Sequence, residues 1–121
     1  MTKRVLIVDD ALFMRLLLRE IFTEAGWQVV AEAENGLQAI EEFNRHRPDL
    51  VTMDIVMPEL GGLDAMRRIL SEHADAKVVM CSALGQERMV MEAIKAGARD
   101  FIVKPFQDLQ VLEVVERVCG D

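Results

Sequence analysis

Short apolar runs alternate with longer amphipathic segments, and this alternation most constrains how the chain can fold. Five runs are too short for helices and nearly continuous in hydrophobicity, which is typical of strands buried on both faces. They are Val5–Val8, Trp27–Ala31, Leu50–Met53, Lys77–Cys81 and Phe101–Val103. We therefore predict an α/β fold, a doubly wound, flavodoxin-like, five-stranded parallel sheet in the order 2-1-3-4-5, flanked by five helices.

The segments between the runs have helical spacing. In the first helix the predicted core stripe consists of Met14, Leu17, Leu18, Ile21 and Phe22. Arg15 is expected outside that stripe, and Leu37 is expected to be buried in the second helix. The later helices are expected at about 36–46, 63–72, 86–96 and 108–118, with Asp108 as the N-cap of the last.

Length, composition and charge exclude several classes of protein. The 121 residues suit one domain spanning 1–121, and 51% hydrophobic with 29% charged residues excludes intrinsic disorder. A formal net charge of −7 argues against binding nucleic acid through a basic surface. Cys81 and Cys119 fit neither a metal motif nor a disulfide framework, and no apolar run is long enough for membrane insertion. We expect a cytoplasmic protein.

Polar residues follow the apolar runs, at the sheet edge where doubly wound folds bind ligands. Strands 1, 3, 4 and 5 are followed by Asp9 and Asp10, Asp54, Ser82 and Lys104, whereas strand 2 is expected to present Glu32 at its end. Taken singly, each has an ordinary structural explanation, such as a helix cap or a solvated loop residue. Together they predict a site.

The chemistry of that cluster favours a divalent cation. Three carboxylates about 5 Å apart repel one another by roughly 3 kcal/mol per pair at an effective dielectric constant near 20. Carboxylate oxygens without histidine or cysteine favour Mg²⁺, or the similar Mn²⁺. A cation, a lysine and a hydroxyl around one carboxylate are the groups that stabilise phosphoryl transfer onto that carboxylate.

The combination of motifs resembles the receiver domain family of two-component response regulators, from the first strand to the last helix. The family's acidic pair matches Asp9 and Asp10, and its phosphoacceptor matches Asp54. Its switch hydroxyl, lysine and switch aromatic match the residues Ser82, Lys104 and Phe101. Segments 9–15 and 93–106 are most similar to chemotaxis regulators that consist of a receiver domain alone.

The resemblance implies a mechanism and its partners. A histidine kinase or histidine phosphotransfer protein would donate a phosphoryl group to Asp54. Mg²⁺ would be held by Asp10, Asp54 and the carbonyl of Val56, with Asp9 acting largely through water. Lys104, Ser82 and the amide of Ala83 would contact the phosphoryl group, and the Lys104–Pro105 bond would be cis. The protein would not be an enzyme, except that it would catalyse its own phosphorylation and dephosphorylation.

Two positions depart from the polar residues that this family often carries near the phosphoryl group. They are Val56 and Leu84. Neither apolar side chain can orient a hydrolytic water, so we predict slow autodephosphorylation unless a phosphatase intervenes. Phe101 stands where a tyrosine is also found, and it lacks a hydroxyl for partner contacts.

Two partner surfaces are predicted for what we expect to be a monomer. Leu12 and Leu16, one turn apart on the first helix, are expected to dock the phosphohistidine-bearing partner. Surplus apolar residues on the last two helices are expected to bind an output protein, which in chemotaxis would be the flagellar motor switch. They are Met89, Met91, Val111 and Val114.

Other functions remain open on the sequence alone. They are a receiver module of a multidomain regulator, a phosphate sink or adaptor, an aspartyl-phosphate phosphatase and an electron carrier. The phosphatase is disfavoured because its family places the second acid two residues after the nucleophile, whereas Asp9 and Asp10 are adjacent. The electron carrier is disfavoured because no Ser/Thr/Gly-rich phosphate loop follows the first strand.

Overall fold

Strands and helices alternate along the chain in the computed structural model, which describes residues 2–120. The elements are β1 (Arg4–Val8), α1 (Leu12–Glu24), β2 (Gln28–Ala33), α2 (Gly36–His46), β3 (Leu50–Asp54), α3 (Gly62–Glu72), β4 (Val78–Ser82), α4 (Glu87–Ala96), β5 (Asp100–Val103) and α5 (Asp108–Cys119). Each predicted run lies within two residues of an observed strand at both ends. The apolar runs therefore located every strand.

The five strands form one parallel sheet in the order β2-β1-β3-β4-β5, which confirms the predicted topology. All residues of β3 and β4 are buried, and β2 and β5 at the edges are partly exposed. From β1 the chain runs to β2 at one edge of the sheet, and it then crosses back to β3 on the opposite side of β1. The carboxyl ends of β1 and β3 thus meet where strand order reverses.

Alternate side chains of the strands point to opposite faces and generate two cores. On one face Leu6 and Val8 of β1 pack with buried residues of α2, α3 and α4. On the other face Val5 and Ile7 pack with buried residues of α1 and α5. Burying both faces gives the sheet its stability, because the free energy gained scales with the apolar area removed from water.

Three predictions about helix residues were wrong in detail. Arg15 is 7% exposed and lies among the buried residues of α1, because it falls three positions before Leu18 on the same face. Leu37 is 49% exposed, since Ala39 and Phe43 carry the buried face of α2. Asp108 is the first helical residue of α5, and Gln107 is its N-cap.

The prediction of Val111 and Val114 as partner-surface residues was also wrong. They are 0% and 5% exposed and belong to the core that contains Leu18 and Ile102. Their spacing of three residues places them on the one face of α5 that turns toward the sheet. The apolar surplus on this helix is Leu109, which is 76% exposed.

Cys81 and Cys119 are both buried and free in the described part of the chain. Burial raises the pKa of the Cys81 thiol, which therefore stays neutral at ordinary pH. Among residues 2–120, no helix has the length and apolar character needed to cross a bilayer.

Candidate functional site

Strand register brings the predicted site residues to one edge of the sheet. Val8 pairs with Met53 and Asp54 pairs with Cys81, so β1, β3 and β4 end at nearly the same level. Ser82, the last residue of β4, pairs with Val103 at the end of β5. The side chains that follow these ends therefore surround a common space, as the alternation of elements predicts.

Three carboxylates form the centre of the site. One ligand oxygen from each of Asp9, Asp10 and Asp54 lies within 4.8 Å of the others. Asp9 and Asp54 are 0% and 6% exposed, whereas Asp10 is exposed. At this separation each charged pair repels by about 3 kcal/mol at an effective dielectric constant near 20. The cluster thus concentrates negative charge that only nearby cations can balance.

Lys104 supplies part of that balance. Its Nζ atom lies 2.8 Å from Asp9 Oδ2 and 3.3 Å from Asp54 Oδ1. Burial lowers the pKa of the Lys104 ammonium, but the contacts with the two carboxylates outweigh burial and raise that pKa overall. The backbone N–H of Lys104 donates to Ser82 O at 2.7 Å, and the following bond to Pro105 is cis. The charged ammonium is therefore held between the two acids.

The Asp54 carboxylate is poorly stabilised without a further cation. Burial is the largest cause that raises the pKa of Asp54 to about 6, and the charge of Asp9 acts in the same direction. Attraction to Lys104 lowers the pKa, but it does not overcome these two effects. At neutral pH the site thus holds a carboxylate whose charge would be stabilised by a metal ion.

The donor set fits a hard divalent cation such as Mg²⁺. Asp9 Oδ1 accepts from the backbone N–H of Ala11 at 2.9 Å. Asp9 Oδ2 is buried and, among residues 2–120, no donor meets it with hydrogen-bond geometry, although Lys104 Nζ is close in charge contact. Three clustered carboxylates without histidine or cysteine match the oxygen ligands that Mg²⁺ prefers.

A close backbone contact between Gly62 and Asp54 fixes the position of the central acid. A Cβ atom added at Gly62 would lie 2.0 Å from the carbonyl oxygen of Asp54, so only glycine fits there. The N–H of Gly62 also donates to Ile55 O at 2.8 Å. The first turn of α3 therefore packs directly against the backbone of the central acid and fixes its position.

The side chains predicted to surround a phosphoryl group lie at different depths. Ser82 is 2% exposed, Val56 is 52% exposed and Leu84 is 80% exposed. The N–H of Ala83 is engaged by the side chain of Gln86, whose Oε1 accepts from it at 2.7 Å. Phe101 is 41% exposed, at the edge formed by α4 and β5.

One structural partner of the site was missed from the sequence. Arg15 Nη1 donates to Asp9 O at 2.8 Å, and Arg15 Nε pairs with Glu32 Oε1 at 3.0 Å. Glu32 is an internal residue of β2 that also pairs with Arg19, so its predicted place at the strand end was wrong. The signal for Arg15 was its position on the helix face of Leu18, one turn after the acidic pair.

The remaining predicted surface residues are exposed. Leu12 and Leu16 on α1 are exposed by 59% and 51%, and Met89 and Met91 on α4 by 43% and 60%. Four of the predicted apolar side chains are therefore in contact with water on two helices, whereas Val111 and Val114 of α5 are buried.

Comparisons with known proteins agree with this geometry. Residues 5–116 match the family model described as response regulator receiver domain. The chemotaxis protein CheY of Thermotoga maritima is 56% identical over 118 residues, which cover 98% of both chains. CheY of Bacillus subtilis is 56% identical over 120 residues, which cover 99% of this chain and 100% of that relative.

A solved structure gives the same result in three dimensions. The CheX-CheY-BeF3-Mg+2 complex from Borrelia burgdorferi contains a chain with 38% identity and a TM-score of 0.92, covering 96% of this chain and 88% of that one. Sequence, topology and site geometry lead to one conclusion: this chain belongs to the response regulator receiver domain family.

Proposed function

We propose that the protein is a chemotaxis response regulator that is switched by phosphorylation of Asp54. The observation that carries this proposal is the arrangement of three carboxylates within 4.8 Å with Lys104 Nζ 3.3 Å from Asp54. That arrangement suits transfer of a phosphoryl group onto a carboxylate. Support for chemotaxis comes from the two relatives with 56% identity, both of which are chemotaxis proteins CheY.

The transfer step uses Asp54 as nucleophile. One carboxylate oxygen of Asp54 attacks the phosphorus of a partner's phosphohistidine in line with the leaving nitrogen. The P–O bond forms as the P–N bond breaks, and the histidine nitrogen keeps the electron pair and takes a proton from water. The product is an aspartyl phosphate, and the protein promotes only its own modification.

Several groups stabilise the phosphoryl oxygens during this step. Lys104 is positioned to move from the carboxylates to a phosphoryl oxygen, because its ammonium already contacts Asp54. Ser82 Oγ and the N–H of Ala83 lie at the end of the neighbouring strand and would donate hydrogen bonds to the remaining oxygens.

Mg²⁺ is the proposed cofactor, and Mn²⁺ would fit the same oxygens. Asp10, Asp54 and the carbonyl of Val56 would hold it directly, with Asp9 acting largely through water. The ion would neutralise charge on the phosphoryl oxygens. The cluster of three carboxylates supports a cation here, and a chain with 38% identity has been solved as part of a CheX-CheY-BeF3-Mg+2 complex.

The switch would couple the site to α4 and β5. An apolar cleft of about 290 Å³ lies between these elements and is lined by residues that include Ser82, Ile94 and Phe101. Movement of Ser82 toward a phosphoryl group would open room for the half-exposed Phe101 to turn inward. Met89 and Met91 on α4 would then present a changed surface to the flagellar motor switch or another output protein.

The phosphoryl group is proposed to be long-lived. Val56 and Leu84 follow Asp54 and Ser82 by two residues and are 52% and 80% exposed, and neither side chain can hydrogen-bond a hydrolytic water. A variant with Val56→Asn and Leu84→Glu should lose phosphate faster than the wild-type protein. Equal decay rates would contradict this assignment.

Residues 1–121 are proposed to form one receiver domain that acts as a monomer in the cytoplasm. The two CheY relatives support a single domain here, since 98% and 100% of their own lengths align with this chain. Two free cysteines in the described part of the chain suit a reducing compartment. A histidine kinase or histidine phosphotransfer protein would dock at Leu12 and Leu16, and a phosphatase would shorten the signal.

Labelling with a small phosphodonor tests the proposal. Acetyl phosphate with Mg²⁺ should phosphorylate the wild-type protein at Asp54, located by peptide mass spectrometry, and chelation of the metal should abolish labelling. Asp54→Asn should abolish it as well, whereas Asp64→Asn, at an exposed acid of α3, should not. Labelling that persists at the wild-type rate in Asp54→Asn would overturn the proposed function.

A further inference from the structure

We propose that Gln86 holds the backbone N–H of Ala83 in the unphosphorylated protein and must release it when the protein switches. Gln86 would therefore be a positioning residue that sets how readily the phosphorylated conformation forms. This inference rests on the proposed function, in which the N–H of Ala83 donates to a phosphoryl oxygen.

Two hydrogen bonds close the loop between β4 and α4. The N–H of Ala83 donates to Gln86 Oε1 at 2.7 Å, and the N–H of Gln86 donates to Ala83 O at 3.3 Å. Gly85, between them, has a φ of +92°, a left-handed conformation that glycine adopts without strain. This turn allows the glutamine side chain to reach back to the end of the strand.

The Gln86 side chain is not acting as an ordinary helix cap. Gln86 is the N-cap residue of α4, yet its side chain accepts no hydrogen bond from the first turn of that helix. At the N-terminus of α2, by contrast, the N-cap Asn35 accepts from the N–H of Gln38. The acceptor of Gln86 is thus directed to the site, on the N–H that the phosphoryl group would need.

A single N–H cannot donate a linear hydrogen bond to two acceptors at once. A phosphoryl oxygen carries negative charge, and hydrogen bonds to charged acceptors are about twice as strong as those between neutral groups. The phosphoryl group would therefore displace Gln86 Oε1. Gln86 is the N-cap residue of α4, the helix that carries Met89 and Met91. Release of its side chain would therefore change the conformation at the N-terminus of that helix.

Affinity for beryllofluoride, a phosphoryl mimic, measures this competition. The probe is beryllofluoride with saturating Mg²⁺, titrated by calorimetry into the wild-type protein and into Gln86→Met, which keeps the side-chain length and removes the amide. Gln38→Met is the matched control, since Gln38 Oε1 makes a similar contact with the N–H of Glu34 at 2.9 Å.

Removing the competitor should tighten beryllofluoride binding by about two- to tenfold, the size of one net hydrogen bond. Gln38→Met should leave the affinity unchanged. Equal or weaker binding by Gln86→Met would overturn the inference, although the proposed function would stand. A wild-type protein that fails to bind beryllofluoride at all would overturn the proposed function itself, and the inference with it.

A second measurement needs no variant. In the wild-type protein, the side-chain amide resonances of Gln86 should shift when Mg²⁺ and beryllofluoride are added, and those of Gln38 should not. Unchanged Gln86 resonances in the fully bound protein would contradict its release, whatever the stability of the methionine variant.

Discussion

The raised pKa of Asp54 makes a quantitative prediction about stability. The pKa rises from 3.8 to about 6, and one unit corresponds to about 1.4 kcal/mol of preference for the neutral form. Ionised Asp54 therefore destabilises the metal-free protein by about 3 kcal/mol. This figure already includes the attraction to Lys104. Water at the mouth of the site screens part of it, so we expect about 1–3 kcal/mol.

Asp54→Asn replaces this carboxylate with a neutral group of the same shape. At about pH 7.5, with metal removed, the variant should have a free energy of unfolding higher by that amount. Since the folded protein keeps the Asp54 proton to higher pH, the penalty is absent below about pH 4 and complete above about pH 6. The advantage of the variant should grow through that window.

Urea denaturation at about pH 4.5 and about pH 7.5 measures both the size and the pH dependence of the effect. Asp64→Asn is the control, because that acid is exposed on α3 and its removal should change stability by less than about 0.5 kcal/mol. Added Mg²⁺ should stabilise the wild-type protein more than Asp54→Asn. A variant that is less stable at neutral pH, or a stability difference independent of pH, would show that ionised Asp54 does not destabilise the fold.

Three further predictions concern packing and docking. Gly62→Ala should lower the free energy of unfolding by about 1–3 kcal/mol, since its Cβ would lie 2.0 Å from the carbonyl oxygen of Asp54. Gly61→Ala should change that free energy little, because its Cβ would lie 3.4 Å from the nearest atom, the carbonyl oxygen of Ile55. Equal losses for the two variants in urea denaturation would contradict the close contact at Gly62. Thr52→Val should raise that free energy by about 1 kcal/mol, because the buried hydroxyl has no hydrogen-bond partner among residues 2–120; a loss would show that the hydroxyl is satisfied. Leu16→Glu should prevent phosphotransfer from the partner protein and leave labelling by acetyl phosphate intact, and equal loss with both donors would indicate damage to the site.

The sheet could be predicted because its strands are buried on both faces and are therefore continuous in hydrophobicity. The site followed from the sheet, since parallel strands in known order place the residues after their carboxyl ends together. Asp9, Asp54 and Lys104 could be brought to one point in this way without any distance being known.

Contacts that depend on helix rotation or loop conformation could not be predicted in the same way. Val111 and Val114 were assigned to a surface because apolar residues cover much of α5, and composition alone does not show which of them turn toward the sheet. The contact between Gln86 and the N–H of Ala83 depends on the left-handed backbone at Gly85, which the sequence permits but does not require.

A crystal structure with Mg²⁺ and beryllofluoride bound tests most directly whether Asp54 is the phosphoacceptor. Beryllium should be bonded to a carboxylate oxygen of Asp54, the metal should be ligated by Asp10, Asp54 and the Val56 carbonyl, and Lys104 Nζ should contact a fluorine. Beryllofluoride bound to another residue, or Lys104 Nζ still paired with Asp9 and away from the fluorines, would contradict phosphorylation of Asp54 at this site.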